Sequence, residues 1–319
     1  MIVVVGSLNI DLVYTVPHIV RPGETLASGG VKRFAGGKGL NQSLALARAG
    51  ARVRHAGRIG ADGVWLRAVL DAAGVDCAHI RADDGATGSA FIQVDASGEN
   101  AIVLDAGANA RVDADDLRPL FADCGPGDYL LLQNEISDMP RIMARGRERG
   151  MTVVFNPAPC GPEVGGYPLD AAGLLIVNET EAALLSGRAG EDEALAALLE
   201  RHPAMRIVLT CGARGARYAA RGERFSVDAV KASVVDTTAA GDTFIGYFLA
   251  GLAEGMPVAE AMRLAARAAA IAVSRPGAAD SIPYRREVTA GRGRRKADGV
   301  AGEALAKPGR TTRRPSPDP

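Results

Sequence analysis

The sequence predicts an α/β protein with a mostly parallel central sheet covered by helices on both faces. Short apolar runs rich in Val, Ile and Leu recur at 2–5, 129–133, 153–155, 174–177 and 207–209. Runs of that length and character suit strands buried on both faces. Helical periodicity lies between and after them. In 39–49, Leu40, Leu44 and Ala47 share a face and Gly50 supplies a stop; in 241–253, Phe244, Phe248 and Leu252 repeat the pattern. The 319 residues are 47% hydrophobic, enough for a sizeable buried core.

Two stretches interrupt this order. Residues 12–34 and 88–104, the second with a turn at Ala96-Ser97-Gly98-Glu99, read as antiparallel strands inserted into the α/β alternation. Such an insertion is expected to form a lid over the site or a dimer surface. From Thr289 the composition turns to Gly, Arg, Ala and Pro with few large apolar residues. Residues 1–288 are therefore expected to be one folded domain and 289–319 a disordered basic tail, solvated rather than an arm for nucleic acid.

Composition narrows the function. Of the 37 basic and 37 acidic residues, ten and four lie in 285–319, leaving 27 and 33 in 1–284. A mildly acidic core argues against nucleic-acid binding. Cys77, Cys124, Cys160 and Cys211 are far apart, without a CxxC pair, and the four histidines are scattered. Neither a disulfide framework nor a zinc site is indicated. No apolar run approaches membrane-spanning length and no basic flank precedes the first one, so a cytoplasmic protein without a membrane partner is expected.

The stretch Asp236-Thr-Thr-Ala-Ala-Gly-Asp242-Thr-Phe244 sets two carboxylates around a turn of small residues that opens an apolar helix. The amides of Ala239, Ala240, Gly241 and Asp242 would lie at a helix N-terminus, where unpaired N–H groups and the helix dipole favour an anion such as phosphate. Asp242 would stand beside it, placed to take a proton from an attacking hydroxyl. The same letters fit an Asp-capped helix start and no more.

Further candidates follow the strands. Gly6-Ser-Leu-Asn9-Ile-Asp11 places Asn9 and Asp11 two residues apart after the first strand, on one face of extended chain, where open α/β sheets bind ligands. An amide and a carboxylate there suit vicinal hydroxyls, and a polar turn is the plain alternative. The absence of GxGxxG disfavours a dinucleotide site and with it a dehydrogenase. Phe34-Ala-Gly36-Gly37-Lys38-Gly39-Leu-Asn41-Gln42 opens a helix, but Gly39 after Lys38 excludes the Walker spacing. What remains is a glycine cradle from which Lys38 and Asn41 project, fit for polyol oxygens, or simply a turn. Glu135 follows the run at 129–133, and Asn178 with Glu181 follows that at 174–177. The latter pair reads as a helix cap or as a carboxylate for hydrated Mg2+. Thr210-Cys-Gly212-Ala213-Arg-Gly215 is a glycine turn able to admit a nucleotide.

Together these pieces resemble the ribokinase-like carbohydrate kinases of the phosphofructokinase B type, in order and spacing, over about 1–286. Asp236 to Phe244 and the run Gly36 to Asn41 carry the family's two signatures, with further matches at Gly107-Ala-Asn109, Asn156-Pro-Ala-Pro159 and Arg275-Pro-Gly277. The resemblance implies a three-layer αβα fold with a small β-sheet lid through which homodimers form. It implies ATP-dependent phosphorylation of ribose at O5. Asn9, Asp11, Gly37, Lys38, Gly39, Asn41 and Glu135 would hold the sugar, and Asp242 would be the base beside an anion hole of Ala239, Ala240 and Gly241. Asn178, Thr210, Gly212, Ala213, Gly215 and Gly241 would serve ATP, with Glu181 near Mg2+ through water. Asp236, Thr238, Ala272, Arg275, Gly277 and Ser281 match a monovalent-cation site for K+.

The chain departs from the family pattern at Leu40, where Ala is common, at Ala266, where a polar residue often lies beside adenine, and in its tail, which stands where a final helix is usual. Kinases for deoxyribose, another sugar or a nucleoside are alternatives, as is a non-catalytic sugar-binding member. The retained Asp242 argues for catalysis.

Overall fold

In the computed structural model, which describes residues 1–290, alternate residues of the first apolar run enter two different cores. Ile2 and Val4 pack on one side of the sheet, Val3 and Val5 on the other, as period-2 geometry demands of a strand between two helical layers. In chain order the elements begin with β1 (Ile2–Val5), β2 (Asn9–Thr15), β3 (Gly30–Gly36), α1 (Lys38–Arg48), β4 (Val53–Gly60), α2 (Val64–Ala72), β5 (Asp76–Asp83), β6 (Gly88–Val94) and β7 (Asn100–Asp105). There follow α3 (Arg118–Ala122), β8 (Tyr129–Gln133), α4 (Met139–Glu148), β9 (Thr152–Asn156), β10 (Ala172–Asn178), α5 (Glu179–Ser186) and α6 (Glu191–Arg201). The described chain closes with β11 (Arg206–Thr210), β12 (Ala216–Ala220), β13 (Glu223–Val227), α7 (Ala240–Ala253), α8 (Val258–Ala272) and α9 (Arg285–Ala290).

The large sheet has nine strands in the order β13-β12-β11-β10-β9-β8-β1-β4-β5. It is parallel from β11 to β5, with β12 and β13 added antiparallel at one edge. One face is covered by α1, α2, α7 and α8, the other by α3 to α6. This is the three-layer arrangement expected. The strand order turns back at β1, between β4 and β8, so a crevice opens at the carboxyl ends of these strands.

The second sheet, ordered β3-β2-β6-β7, is the lid. Its two hairpins are antiparallel as expected, but they join through a parallel β2–β6 ladder, so the lid is mixed rather than wholly antiparallel. Strands β4, β5, β12 and β13 were not marked by apolar runs. In β4, Arg54, His55, Gly57 and Arg58 break the pattern, yet the strand lies beside β1, where a Cβ on Gly57 would come within 2.6 Å of the Gly6 carbonyl. Close backbone approach, not apolar bulk, selects that glycine. Helix α9 extends two residues past the expected boundary at 288, and its Val288 is buried. The expected disordered tail otherwise lies outside the described residues. Among the described residues no helix is long and apolar enough to cross a membrane.

One helix crossing positions the chemistry. Gly246 of α7 meets Ala45 and Leu46 of α1 so closely that a Cβ there would fall 2.4 Å from the Ala45 Cβ. One turn earlier on each helix stand Asp242 and the pair Asn41 and Gln42, which the crossing therefore brings together.

Candidate active site

The glycine run before α1 is shaped by what presses on it. A Cβ on Gly36 would strike the Asp11 carboxylate at 2.1 Å, and one on Gly37, whose φ is 90°, would come within 2.9 Å of the Asn9 nitrogen. Only glycine lets the start of α1 nest against the link from β1 to β2. There Ser7 accepts from two α1 amides, Gly39 through its Oγ (3.2 Å) and Leu40 through its carbonyl (2.9 Å). Leu40 is fully buried in the core, so the larger residue at this position points away from the crevice.

Glu135, just beyond β8, accepts from the Lys38 amide at 2.9 Å and from the Ser7 hydroxyl. Burial pushes its carboxyl up, with Lys38 opposing. The Lys38 ammonium is held above its ordinary range by Asp242 first, against the cost of burial, and then by Glu135 and Glu181. One lysine faces three carboxylates in this buried crevice and offsets only part of their charge. Asp11 lies near Glu135, and burial together with that neighbouring charge pushes its carboxyl up to about 7. The Oδ1 of buried Asn9 accepts from Asn109 at 2.7 Å, and Asn109 in turn accepts from the Leu8 amide at 3.1 Å. The occupied oxygen turns the Asn9 Nδ2 donor elsewhere.

At the start of α7, buried Asp242 accepts from Asn41 Nδ2 on Oδ2 (3.1 Å) and from Gln42 Nε2 on Oδ1 (2.8 Å). The Asn41 Oδ1 is buried without a partner among the described residues. Ala239, the residue before α7, adopts the left-handed conformation with φ 57°, which turns the chain into the helix. The Ala240 amide donates to Thr237 within that turn at 3.2 Å, so it is less open than the sequence led us to expect. Gly241 is exposed, and its amide and that of Asp242 meet no acceptor among the described residues.

Asn178 and Glu181 form a reciprocal capping box at the start of α5, each side chain accepting the other's amide at 2.8 and 2.9 Å. The cap was one of the two readings, and it leaves Glu181, its carboxyl pushed up by burial, facing Lys38 and Asp242. One partly engaged carboxylate in that position fits a hydrated Mg2+, which keeps most of its waters. Thr210 donates to the Val177 carbonyl at 3.3 Å, and the turn behind it closes through Cys211 N–H to Gly215 O at 2.8 Å. Gly212 and Gly215 have positive φ, and Ala213 lies in the short helical turn between them.

Asp236 joins two of the expected cation residues, Thr238 and Gly277. Its Oδ1 accepts from the Thr238 amide (2.8 Å) and its Oδ2 from Gly277 (2.9 Å), tying the α7 turn to the segment after α8. Burial raises its pKa, but the Thr238 and Gly277 bonds outweigh that and hold the carboxyl below its usual range. The Ala272 carbonyl accepts from Arg275 N–H at 3.1 Å, Arg275 pairs with Glu287 at 2.5 Å, and buried Ser281 donates to Ala278 at 2.8 Å. Among the described residues no group of three His, Cys, Asp or Glu could hold a metal ion, so a cation here would rest on backbone oxygens. Such a donor set suits a weakly held monovalent ion.

The sequence left four buried carboxamides unassigned: Gln42, Asn109, Gln133 and Asn156. Gln42, Asn109 and Asn156 stood inside quoted motifs and Gln133 ends an apolar strand, so a polar residue where burial is expected was the available signal. Elsewhere, a cleft of about 440 Å³ between α5, α6 and β12 is lined by Arg214 and Arg217. Both pair with Glu191, so these two guanidinium groups are already neutralised.

A parallel sheet with its crevice at the strand ends, a buried aspartate at an open helix N-terminus and a polyol cradle define a sugar kinase, and the pfkB family carbohydrate kinase model matches residues 1–285. The chain belongs to that family. Within it, ribokinases stand among the similar proteins. The ribokinase of Haemophilus influenzae is 37% identical over 293 residues, covering 89% of this chain and 95% of its own. The crystal structure of Cryptococcus neoformans ribokinase with ADP matches with TM-score 0.79 at 38% identity, over 91% of this chain and 98% of its own. The Arabidopsis thaliana ribokinase complexed with ribose and ATP matches at 0.80 with 30% identity, over 90% and 96%.

Proposed function

We propose that this chain is an ATP-dependent kinase that phosphorylates D-ribose on O5 to give ribose 5-phosphate. The observation that carries the reading is Asp242, buried at the mouth of α7 with both oxygens hydrogen-bonded and Lys38 close by. Ribose is favoured over other sugars by the ribokinases among the relatives, which match over nearly their whole length.

In this mechanism Asn9, Asp11, Asn41, Lys38 and Glu135 bind the ribose hydroxyls, within the cradle of Gly37 and Gly39. The unpartnered Asn41 Oδ1 is an acceptor for one of them. Asp242 takes the proton of the O5 hydroxyl while O5 attacks the γ-phosphorus of ATP. The bond from that phosphorus to the bridging oxygen of ADP breaks, and the proton stays on Asp242 until product release. The open amides of Gly241 and Asp242, with Ala239 beside them, hold the equatorial oxygens. Glu181 would hold Mg2+ through water, and the ion supplies charge screening for the phosphates. Asp236, Thr238 and the carbonyls around Ala272 and Gly277 would hold K+ beneath the turn and so fix its amides. Asn178, Thr210 and the turn Gly212, Ala213 and Gly215 border the nucleotide.

The functional unit on this reading is 1–288, lid included, in the cytoplasm and as a homodimer. Exposed Val31, Phe91, Ile102, Val103 and Leu104 form apolar surface on the lid, which supports pairing through it. ADP release measured with ribose, deoxyribose, fructose and adenosine, in Mg2+ and K+, tests the assignment. Ribose should give the highest kcat/KM; preference for fructose or adenosine would overturn it.

A further inference from the structure

Behind Asp242 lies a chain of buried amides. Gln133 at the end of β8 donates Nε2 to the Gln42 Oε1 at 2.7 Å. Gln42 Nε2 then donates to Asp242 Oδ1 at 2.8 Å and to Asn156 Oδ1 at 3.1 Å. Asn156 is itself turned by donating Nδ2 to the Ile176 carbonyl at 3.0 Å. Gln42 and Gln133 are fully buried and Asn156 nearly so. Even Gly6 takes part: a Cβ there would fall 2.3 Å from the Gln133 Oε1, so glycine is what admits the side chain.

The chain has one workable polarity. If the Gln42 amide were flipped, its oxygen would face the Asp242 carboxylate and the Asn156 oxygen, two acceptors, and its Nε2 would face the Gln133 donor. The Asp242 and Asn156 end forbids the flip, because a carboxylate cannot donate and Asn156 is held by Ile176, and in a buried setting each mismatched pair is costly; Gln133, whose own Oε1 has no partner among the described residues, follows Gln42. Gln42 thus has one orientation, set from β9 by Asn156, and presents it to Asp242 on α7.

We propose that Gln42 is a positioning residue for phosphoryl transfer: oriented by Asn156 and braced by Gln133, it fixes the Asp242 carboxylate so that the base meets the sugar hydroxyl in one geometry. Asn41 alone would leave the carboxylate free to turn about its side-chain bonds; two donors on opposite oxygens remove that freedom. Misplacing a catalytic group by about 1 Å lowers rate by about 100-fold, which sets the scale of the effect. The inference rests on Asp242 being the base, and the test separates the two ideas.

Gln42→Leu should lower kcat by roughly 10- to 100-fold while the KM for ribose stays within about threefold, because the sugar's own partners remain. In an Asp242→Asn background the same change should cost less than about threefold more, since no base remains to position. Full additivity, or a fall in melting temperature with kcat intact, would show that the carboxamides only fill the core and would overturn the proposal. Should Asp242→Asn itself leave kcat unchanged, the base assignment fails instead.

Gln42→Glu, nearly the same shape, guards against misfolding. It sets a carboxyl against Asp242, with Lys38 of α1, Glu135 beyond β8 and Glu181 of α5 as the other charged groups facing that carboxylate. The two acids would share a proton. The kcat of this variant should climb with pH across a range where the wild type is level, and superimposable profiles would contradict the proposal.

Discussion

Two helix N-termini open onto the same crevice, those of α1 and α7, and each is preceded by glycine or small residues that could cradle an anion. Their amides are treated in opposite ways. At α1 the first four are spoken for: Lys38 by Glu135, Gly39 and Leu40 by Ser7, Asn41 by Gly37. At α7 Ala240 is engaged by Thr237 and Thr243 by Ala239, while the amides of Gly241 and Asp242 between them meet no acceptor among the described residues. The carboxylate already seated on α1 makes that end a poor phosphate site, whatever its glycines suggest. The lesson is that a glycine-rich helix start becomes an anion site when its donors are left over, not when its sequence is small.

The strongest way to break this contrast is at the base. Asp242→Asn should lower kcat by roughly 100-fold or more with ribose binding retained, because general-base help is lost while the surrounding donors stay. Turnover near the wild-type value would remove Asp242 from the mechanism and reduce the α7 end to a capped helix.

A second break acts at the helix crossing. Gly246→Val should push α7 from α1 and loosen the bonds from Asn41 and Gln42 to Asp242, with overpacking costing about 1–3 kcal/mol. Thermal unfolding and kcat should fall together; an unchanged kcat would show that the crossing does not set the base.

Asp11 sharpens the α1 side. Asp11→Ala should raise the ribose KM, since a lost hydroxyl partner is worth about 1–3 kcal/mol, and leave the ATP KM near wild type. Its carboxyl also predicts a pH dependence. The folded-state pKa of about 7 stands above the ordinary aspartate value of 3.8, so the stability that protonation lends is complete below the lower value and lost as pH rises through 7. Asp11→Asn should therefore raise the melting temperature of the unliganded protein at pH 8, with the gain shrinking towards pH 5. A gain independent of pH would show that Asp11 does not titrate as described.

The smallest expected effect concerns K+. If Asp236 and the carbonyls near it hold the ion, activity in tetramethylammonium buffer should rise and saturate as K+ is added, through kcat rather than the ribose KM. A flat response would leave Asp236 as a tie between two loops.

Much of this was legible in the sequence for a plain reason. Strands buried on both faces leave apolar runs, and a helix opened by Asp242 and faced with Phe244 and Phe248 leaves a period. What sequence hid depends on neighbours distant in the chain. Strand β4 carries Gly57 because β1 presses against it, and Arg54 and Arg58 pair with Asp76 and Asp83, while β12 and β13 lie at a sheet edge where apolar continuity is not needed. Gln42 and Gln133 are 91 residues apart, and nothing local in either says that they meet. Likewise, no local signal distinguishes the saturated amides at α1 from the open ones at α7.

Amide hydrogen exchange with a non-hydrolysable ATP analogue and Mg2+ measures that difference most directly. Exchange at Gly241 and Asp242 should slow by about tenfold or more on binding, as unsatisfied donors gain phosphate acceptors, whereas Lys38, Gly39, Leu40 and Asn41, already hydrogen-bonded, should change little. Protection that appears at 38–41 with none at 241–242 would place the phosphate on the other helix and contradict the account.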